Sequence, residues 1–163
     1  MKSYQTLDDY VKFICRTVKT GNRNKIVNVL RQSLNHCDHW VVWRSIGTIL
    51  LRKDKWLISI VGNAMLEVKE LKAYDYIDYT SWLSYVSNKH WRAFNYLAKA
   101  ARSQNYQLRS AVACVLWMSK REQALYFLDL LINDISKDVR QSAKFSLDRM
   151  NCELSFDELR SCR

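Results

Sequence analysis

Residues 134–147 read Asp-Ile-Ser-Lys-Asp-Val-Arg-Gln-Ser-Ala-Lys-Phe-Ser-Leu, which reduces to the pattern D-x-x-x-x-V-R-x-x-A-x-x-x-L. Aligned on Val139-Arg140, the pattern recurs upstream. Ser103 to Leu116 carries Leu108-Arg109, with Val112 at the small position, and Asp38 to Leu51 carries Trp43-Arg44 and Gly47. Between these, Ile77, Ser81 and Tyr85 keep the apolar and small positions, while Asp78 stands where the arginine belongs. The aligned positions 44, 78, 109 and 140 are spaced 34, 31 and 31 residues apart, the mark of a repeat array. A lone helix pair cannot bury its apolar face, whereas stacked pairs build one continuous core.

Composition agrees with helices. The 163 residues contain no proline and three glycines, Gly21, Gly47 and Gly62, against about eight and eleven at average usage. No Asn-Gly or Asp-Gly hairpin signal occurs. Helices are expected over 7–20, 24–35, 39–52, 55–71, 75–87, 89–102, 106–118, 121–133 and 137–150, with a short one at 156–161. Thr6 with Asp9, Ser119 with Glu122 and Ser155 with Glu158 mark helix starts. Asp38, Asp54 and Ser136 sit at N-cap positions, and Gly21 sits just past a helix end. Connections of two to four residues make successive helices antiparallel neighbours. No linker or low-complexity tract appears, so one domain over 1–163 is expected.

The turn aspartate, the following Val-Arg pair and the small residue four positions on resemble the turn and second helix of a HEAT repeat. The resemblance covers residues 24–150. It implies an all-α fold, a short right-handed α-solenoid of antiparallel helix pairs. The units are 24–52, 55–87, 89–118 and 121–150, with capping helices at 6–20 and 155–163. The turn proline usual in that family is absent throughout. By resemblance, Asp38, Arg44, Arg109, Asp134 and Arg140 are scaffold residues bonded along the stack, and the small residues Gly47, Ser81 and Ala143 let helices approach closely. A repeat of this kind works in most families as a binding scaffold.

The formal charge is +10, of which residues 1–53 hold +7. Residues 10–37 contain no acid and six bases: Lys12, Arg16, Lys19, Arg23, Lys25 and Arg31. Lys12, Arg16 and Lys19 fall within about 60° on a helix, opposite Leu7, Tyr10, Ile14 and Val18. Arg44, Arg52 and Lys53 extend the region. This face is either an anion-binding surface or a solvated outer face. A second candidate is the run with Tyr74, Asp75, Asp78, Tyr79 and Trp82, which falls where the repeat pattern breaks. It reads either as a set of interface anchors or as helical core. The six tryptophans, spread along the units, read either as core or, around His90-Trp91-Arg92 with Phe94 and Tyr96, as a base-stacking channel.

Catalytic signatures are absent: no nucleophile elbow, P-loop, zincin helix or dinucleotide fingerprint occurs. The five cysteines, Cys15, Cys37, Cys114, Cys152 and Cys162, are odd in number and form no C-x-x-C. The run His36-Cys37-Asp38-His39 reads as a turn with Asp38 as cap, and no metal or cofactor is expected. Met-Lys-Ser-Tyr-Gln-Thr opens the chain with no apolar run after it, so neither a signal peptide nor membrane binding is expected. The cysteine usage suits the cytoplasm. The first expectation is therefore a non-enzymatic, HEAT-like interaction protein with a protein partner, in an adaptor, inhibitor or immunity-type role. The alternatives are nucleic-acid binding through the basic face and a base-excision enzyme. The latter follows from a likeness to the HEAT-like alkylpurine DNA glycosylases, with Asp78 among Tyr74, Tyr79 and Trp82 imitating their site.

Overall fold

The computed structural model describes residues 6–34, 36, 38–50, 54–67 and 73–161, without the side chains of residues 39, 50, 73–75, 121 and 153–161. The described residues form nine α-helices, one 3-10 turn and no strand. They divide into two compact units, Met1–Lys69 and Glu70–Arg163, and the division falls between the two helices of the expected 55–87 repeat.

The first unit holds α1 (Leu7–Thr20), α2 (Arg23–Leu34), α3 (His39–Leu50) and α4 (Leu57–Glu67). Thr6 caps α1: its hydroxyl accepts from the Asp9 N–H at 3.2 Å and donates to the Asp9 carboxylate at 3.0 Å. Asn22 caps α2 by accepting from the Lys25 N–H at 3.1 Å. Asp38 caps α3 as expected, accepting from the Trp40 N–H at 2.8 Å. Gly21 ends α1 by donating its N–H to the Thr17 carbonyl at 2.7 Å. A Cβ on Gly21 would stand 2.5 Å from that same oxygen, so only glycine fits the approach. Helix α1 packs on α3, and α2 packs on α1, α3 and α4. The core between them is aliphatic, with Val11, Ile14 and Val18 of α1 against Ile26, Leu30, Val42 and Ile46.

The second unit holds α5 (Ala73–Ser87), α6 (Trp91–Ala101), α7 (Tyr106–Val115), the 3-10 turn Leu116–Met118, α8 (Arg121–Leu131) and α9 (Lys137–Ser161). Its principal packing runs α5 on α7 and α7 on α9, while α6 and α8 lie against these from a second layer. The 31-residue sequence period reappears as buried polar rungs between the helices of the first layer. The Thr80 hydroxyl reaches the Ala111 carbonyl at 3.5 Å, and the Ser84 hydroxyl donates to the Val115 carbonyl at 2.9 Å, each across 31 residues. Ser110 meets Ser142 at 2.9 Å across 32 residues, and Ser146 donates to the Ala113 carbonyl across 33. Small hydroxyl residues let these helices close up, and each buried hydroxyl finds the partner its burial demands.

Four local expectations are corrected. Ser119 does not cap α8. Lys120 holds that position, and the Ser119 hydroxyl is drawn inward to Ser84 at 2.6 Å and Ser87 at 3.2 Å. Residues 116–118 tighten into a 3-10 turn instead of continuing α7. No break occurs at 151–155, because α9 runs unbroken to Ser161. This stretch holds neither glycine nor proline to stop it, and the side chains of Ser155 and Glu158 lie outside the described residues. Gly47 is exposed, and a Cβ there would meet nothing within 4 Å, so its small size serves no close approach.

Candidate functional site

The basic side chains of α1 converge with α3. Three of the six expected cations, Lys12, Arg16 and Lys19, line a groove of about 450 Å³ together with Arg44 and Trp40 of α3; Val11, Cys15 and Thr20 line it too, with Asp8 as its acid. Cys15 ties the two helices below the cations, its Sγ lying 3.2 Å from the Thr48 hydroxyl. Asp8 pairs with Lys12 at 2.7 Å and holds that ammonium above the usual lysine range through the hydrogen bond. Both partners are largely exposed, so the pair contributes little to stability and Lys12 is readily given up to a stronger anion. Four cations facing one carboxylate make the groove electropositive.

The aromatic component was not expected here. Trp40 and Trp43 are 46% and 44% exposed, one helical turn apart on α3. Their rings stack with centroids 5.1 Å apart and planes at 29°. The Arg44 guanidinium lies 5.5 Å from the first ring and 5.7 Å from the second, within cation–π range of both. Arg44, expected as a scaffold residue, thus lines the groove and covers two indoles. Spacing made it look equivalent to Arg109, but the surroundings of the two differ.

The remaining basic residues lie elsewhere. Arg23 covers the Trp56 ring at 5.3 Å, and Lys25 and Arg31 are exposed on α2; none of the three lines the groove. Arg52 and Lys53 lie outside the described residues, as do Cys37 and Cys162.

Part of the second candidate lies in the core. Tyr79 and Trp82 are buried in the core of the second unit, and Asp78, just before Tyr79 in sequence, is half-buried. Helical spacing sets Tyr76, Tyr79 and Leu83 on the inward face of α5, where they compete successfully for burial. The side chains of Tyr74 and Asp75 lie outside the described residues. Among the other tryptophans, Trp91 is 65% exposed beside exposed Arg92, while Phe94 is buried.

The repeat arginines of the second unit hold their turns. Arg109 makes a two-point contact with Asp134, Nε at 2.7 Å and Nη2 at 2.9 Å, and its Nη1 donates to the Ser103 and Gln104 carbonyls at 2.7 and 3.0 Å. Arg140 repeats the last motif on the Asp134 and Ile135 carbonyls at 2.7 and 2.9 Å. The Arg109 hydrogen bond holds the Asp134 carboxyl below the usual carboxylate range. An open depression beside this turn includes Arg109, Lys137 and Asp138. Arg109 is already bound on every side there, so little charge is left for a ligand.

No group of three potential metal ligands occurs among the described residues, and none of their helices is long and apolar enough to cross a membrane. No protein-family model matches the chain, and no curated protein is significantly similar to it.

Proposed function

We propose that this is a non-enzymatic, HEAT-like binding protein and that the α1–α3 groove receives the phosphate backbone of a nucleic acid. The supporting observation is the convergence of Lys12, Arg16, Lys19 and Arg44 on one groove beside an exposed indole. Three of these cations lie on α1, the expected cap, and the fourth, Arg44, on α3, the expected second helix of the first repeat. Phosphate contacts release counterions and supply most of the sequence-independent affinity of such proteins. The right-handed HEAT-like stacking is part of the proposal. Its support is the Arg109–Asp134 bond and the rungs spanning 31 to 33 residues. A cytoplasmic setting completes it, on the strength of cysteine usage alone.

The reading is tested with the variant Lys12→Glu/Arg16→Glu/Lys19→Glu and a labelled nucleic acid. Affinity at physiological salt should fall at least tenfold, and the salt dependence should flatten by about 0.7–0.9 logarithmic units per lost contact. A parent protein that binds no nucleic acid, or a variant that binds as tightly, ends the proposal. A protein partner, the first expectation from sequence, remains the second reading. It is favoured by Tyr126 and Leu130, 64% and 49% exposed one turn apart on α8. A glycosylase reading draws no support from Tyr79 and Trp82, which are core residues.

A further inference from the structure

Exposed tryptophan is costly, because about half of two indoles stands in water where burial would stabilise the fold. Here two such residues adjoin each other and a row of cations. Trp40 and Trp43 share a face of α3, and Asp38 fixes the start of that helix through the Trp40 N–H at 2.8 Å. Arg44 lies over both rings, so the cluster already has the stacking geometry a third planar group extends. On α1 the cations are three and four residues apart, which at 1.5 Å rise sets them about 4.5–6 Å apart along one side of the groove. Trp40 lines the same groove.

These two chemistries select among anions. A duplex offers phosphates to the cations, but its bases are stacked inside and do not reach an indole face. An acidic peptide likewise meets the cations and leaves the ring faces without a planar partner. A single strand presents both groups together, phosphates along the backbone and unpaired bases with free faces. Stacking on aromatic residues beside a basic groove is how sequence-tolerant single-strand binding is achieved in general.

We propose that the α1–α3 groove takes single-stranded nucleic acid, with phosphates on Lys12, Arg16 and Lys19 and an unpaired base stacked against the Trp40–Trp43 pair. This rests on the nucleic-acid reading above and narrows it to one class of strand. Arg44 serves both parts, as a phosphate partner and as a plane in the stack.

The test uses the full chain and four probes: a labelled oligothymidylate, a duplex of equal length, polyglutamate, and vesicles containing phosphatidylserine. The single strand should bind about tenfold or more tightly than the duplex. Trp40→Ala/Trp43→Ala should weaken single-strand binding by about 5- to 150-fold, the range expected for one stacked base, and weaken duplex binding, which loses only the support of the rings under Arg44, by a smaller factor. Trp40→Phe/Trp43→Phe, which keeps the ring faces, should restore most of the affinity. The triple glutamate variant should weaken both nucleic acids together. Duplex binding as tight as single-strand binding, with the alanine pair silent, overturns the single-strand assignment and leaves the nucleic-acid reading intact. Binding to polyglutamate or vesicles with neither nucleic acid retained, or no binding at all, overturns both. Should the alanine pair fail to fold by circular dichroism, the strand preference of the parent and the phenylalanine pair decides.

Discussion

Replacing Asp134 by Asn removes the charge and one of the two acceptors of the Arg109–Asp134 contact: the amide keeps the shape of the carboxylate and its oxygen can still accept from the Ser136 N–H, now at 2.8 Å, but its NH2 faces the Arg109 Nε–H. The pair is well shielded, with the two side chains 12% and 11% exposed. Breaking a fully buried pair by removing one partner costs about 3–5 kcal/mol. Arg109 retains the Ser103 and Gln104 carbonyls, so its guanidinium is not left bare, and the expected cost falls to about 2–3 kcal/mol. For a chain of this size that lowers Tm by roughly 4–12 °C. The sign of the pH dependence follows from the depressed Asp134 carboxyl. Its contribution is complete above the ordinary value of about 3.9 and is lost as pH falls through the lower folded value. Urea denaturation followed by circular dichroism should therefore separate parent and variant at neutral pH and bring them together in acid. Arg109→Met, alone and combined with Asp134→Asn, supplies the coupling energy, which should exceed about 0.5 kcal/mol. A variant within about 0.5 kcal/mol of the parent at neutral pH, or a gap that persists unchanged in acid, refutes the reasoning.

Two further outcomes are expected. Gly21→Ala should destabilise by about 1–3 kcal/mol because its Cβ meets the Thr17 carbonyl at 2.5 Å, whereas Gly47→Ala, with open space around it, should stabilise by about 0.5–1 kcal/mol; paired thermal melts check the opposite signs. Burial raises the Cys114 thiol above its usual range, while Cys152 is exposed; iodoacetamide labelling of the folded protein, resolved by mass spectrometry, should reach Cys152 well before Cys114.

Much of the helical order was legible in the chain. Thr6 and Asp38 cap where their side chains predict, since capping is a local bond made within three residues. The 31-residue spacing from Asp78 to Arg109 foretold helices related by the same interval, and the rungs from α5 to α7 follow it, while those from α7 to α9 span 32 and 33 residues. Legibility stopped where a polar side chain has two partners to choose from. Ser119 reads as a cap, but the serines brought against it from α5 offer a buried partner that local sequence does not reveal. Arg44 reads as scaffold because its spacing matches Arg109, although it covers two indoles. Aromatic residues were ambiguous for a related reason. Tyr79 and Trp82 turn inward while Trp40 and Trp43 stay half in water, and periodicity alone does not separate a buried stripe from an exposed one.

The sequence by itself determined an all-helical chain with caps, a period and an excess of positive charge before residue 54. Those properties depend on hydrogen bonds and spacings within a few turns, and on charge, which needs no geometry. Only the tertiary structure decided that Lys12, Arg16 and Lys19 share a groove with Trp40 and Arg44 while Arg23, Lys25 and Arg31 do not. The packing of α1 on α3 brings together residues more than twenty positions apart, and it is that packing, not composition, that makes charge and aromatic rings one site.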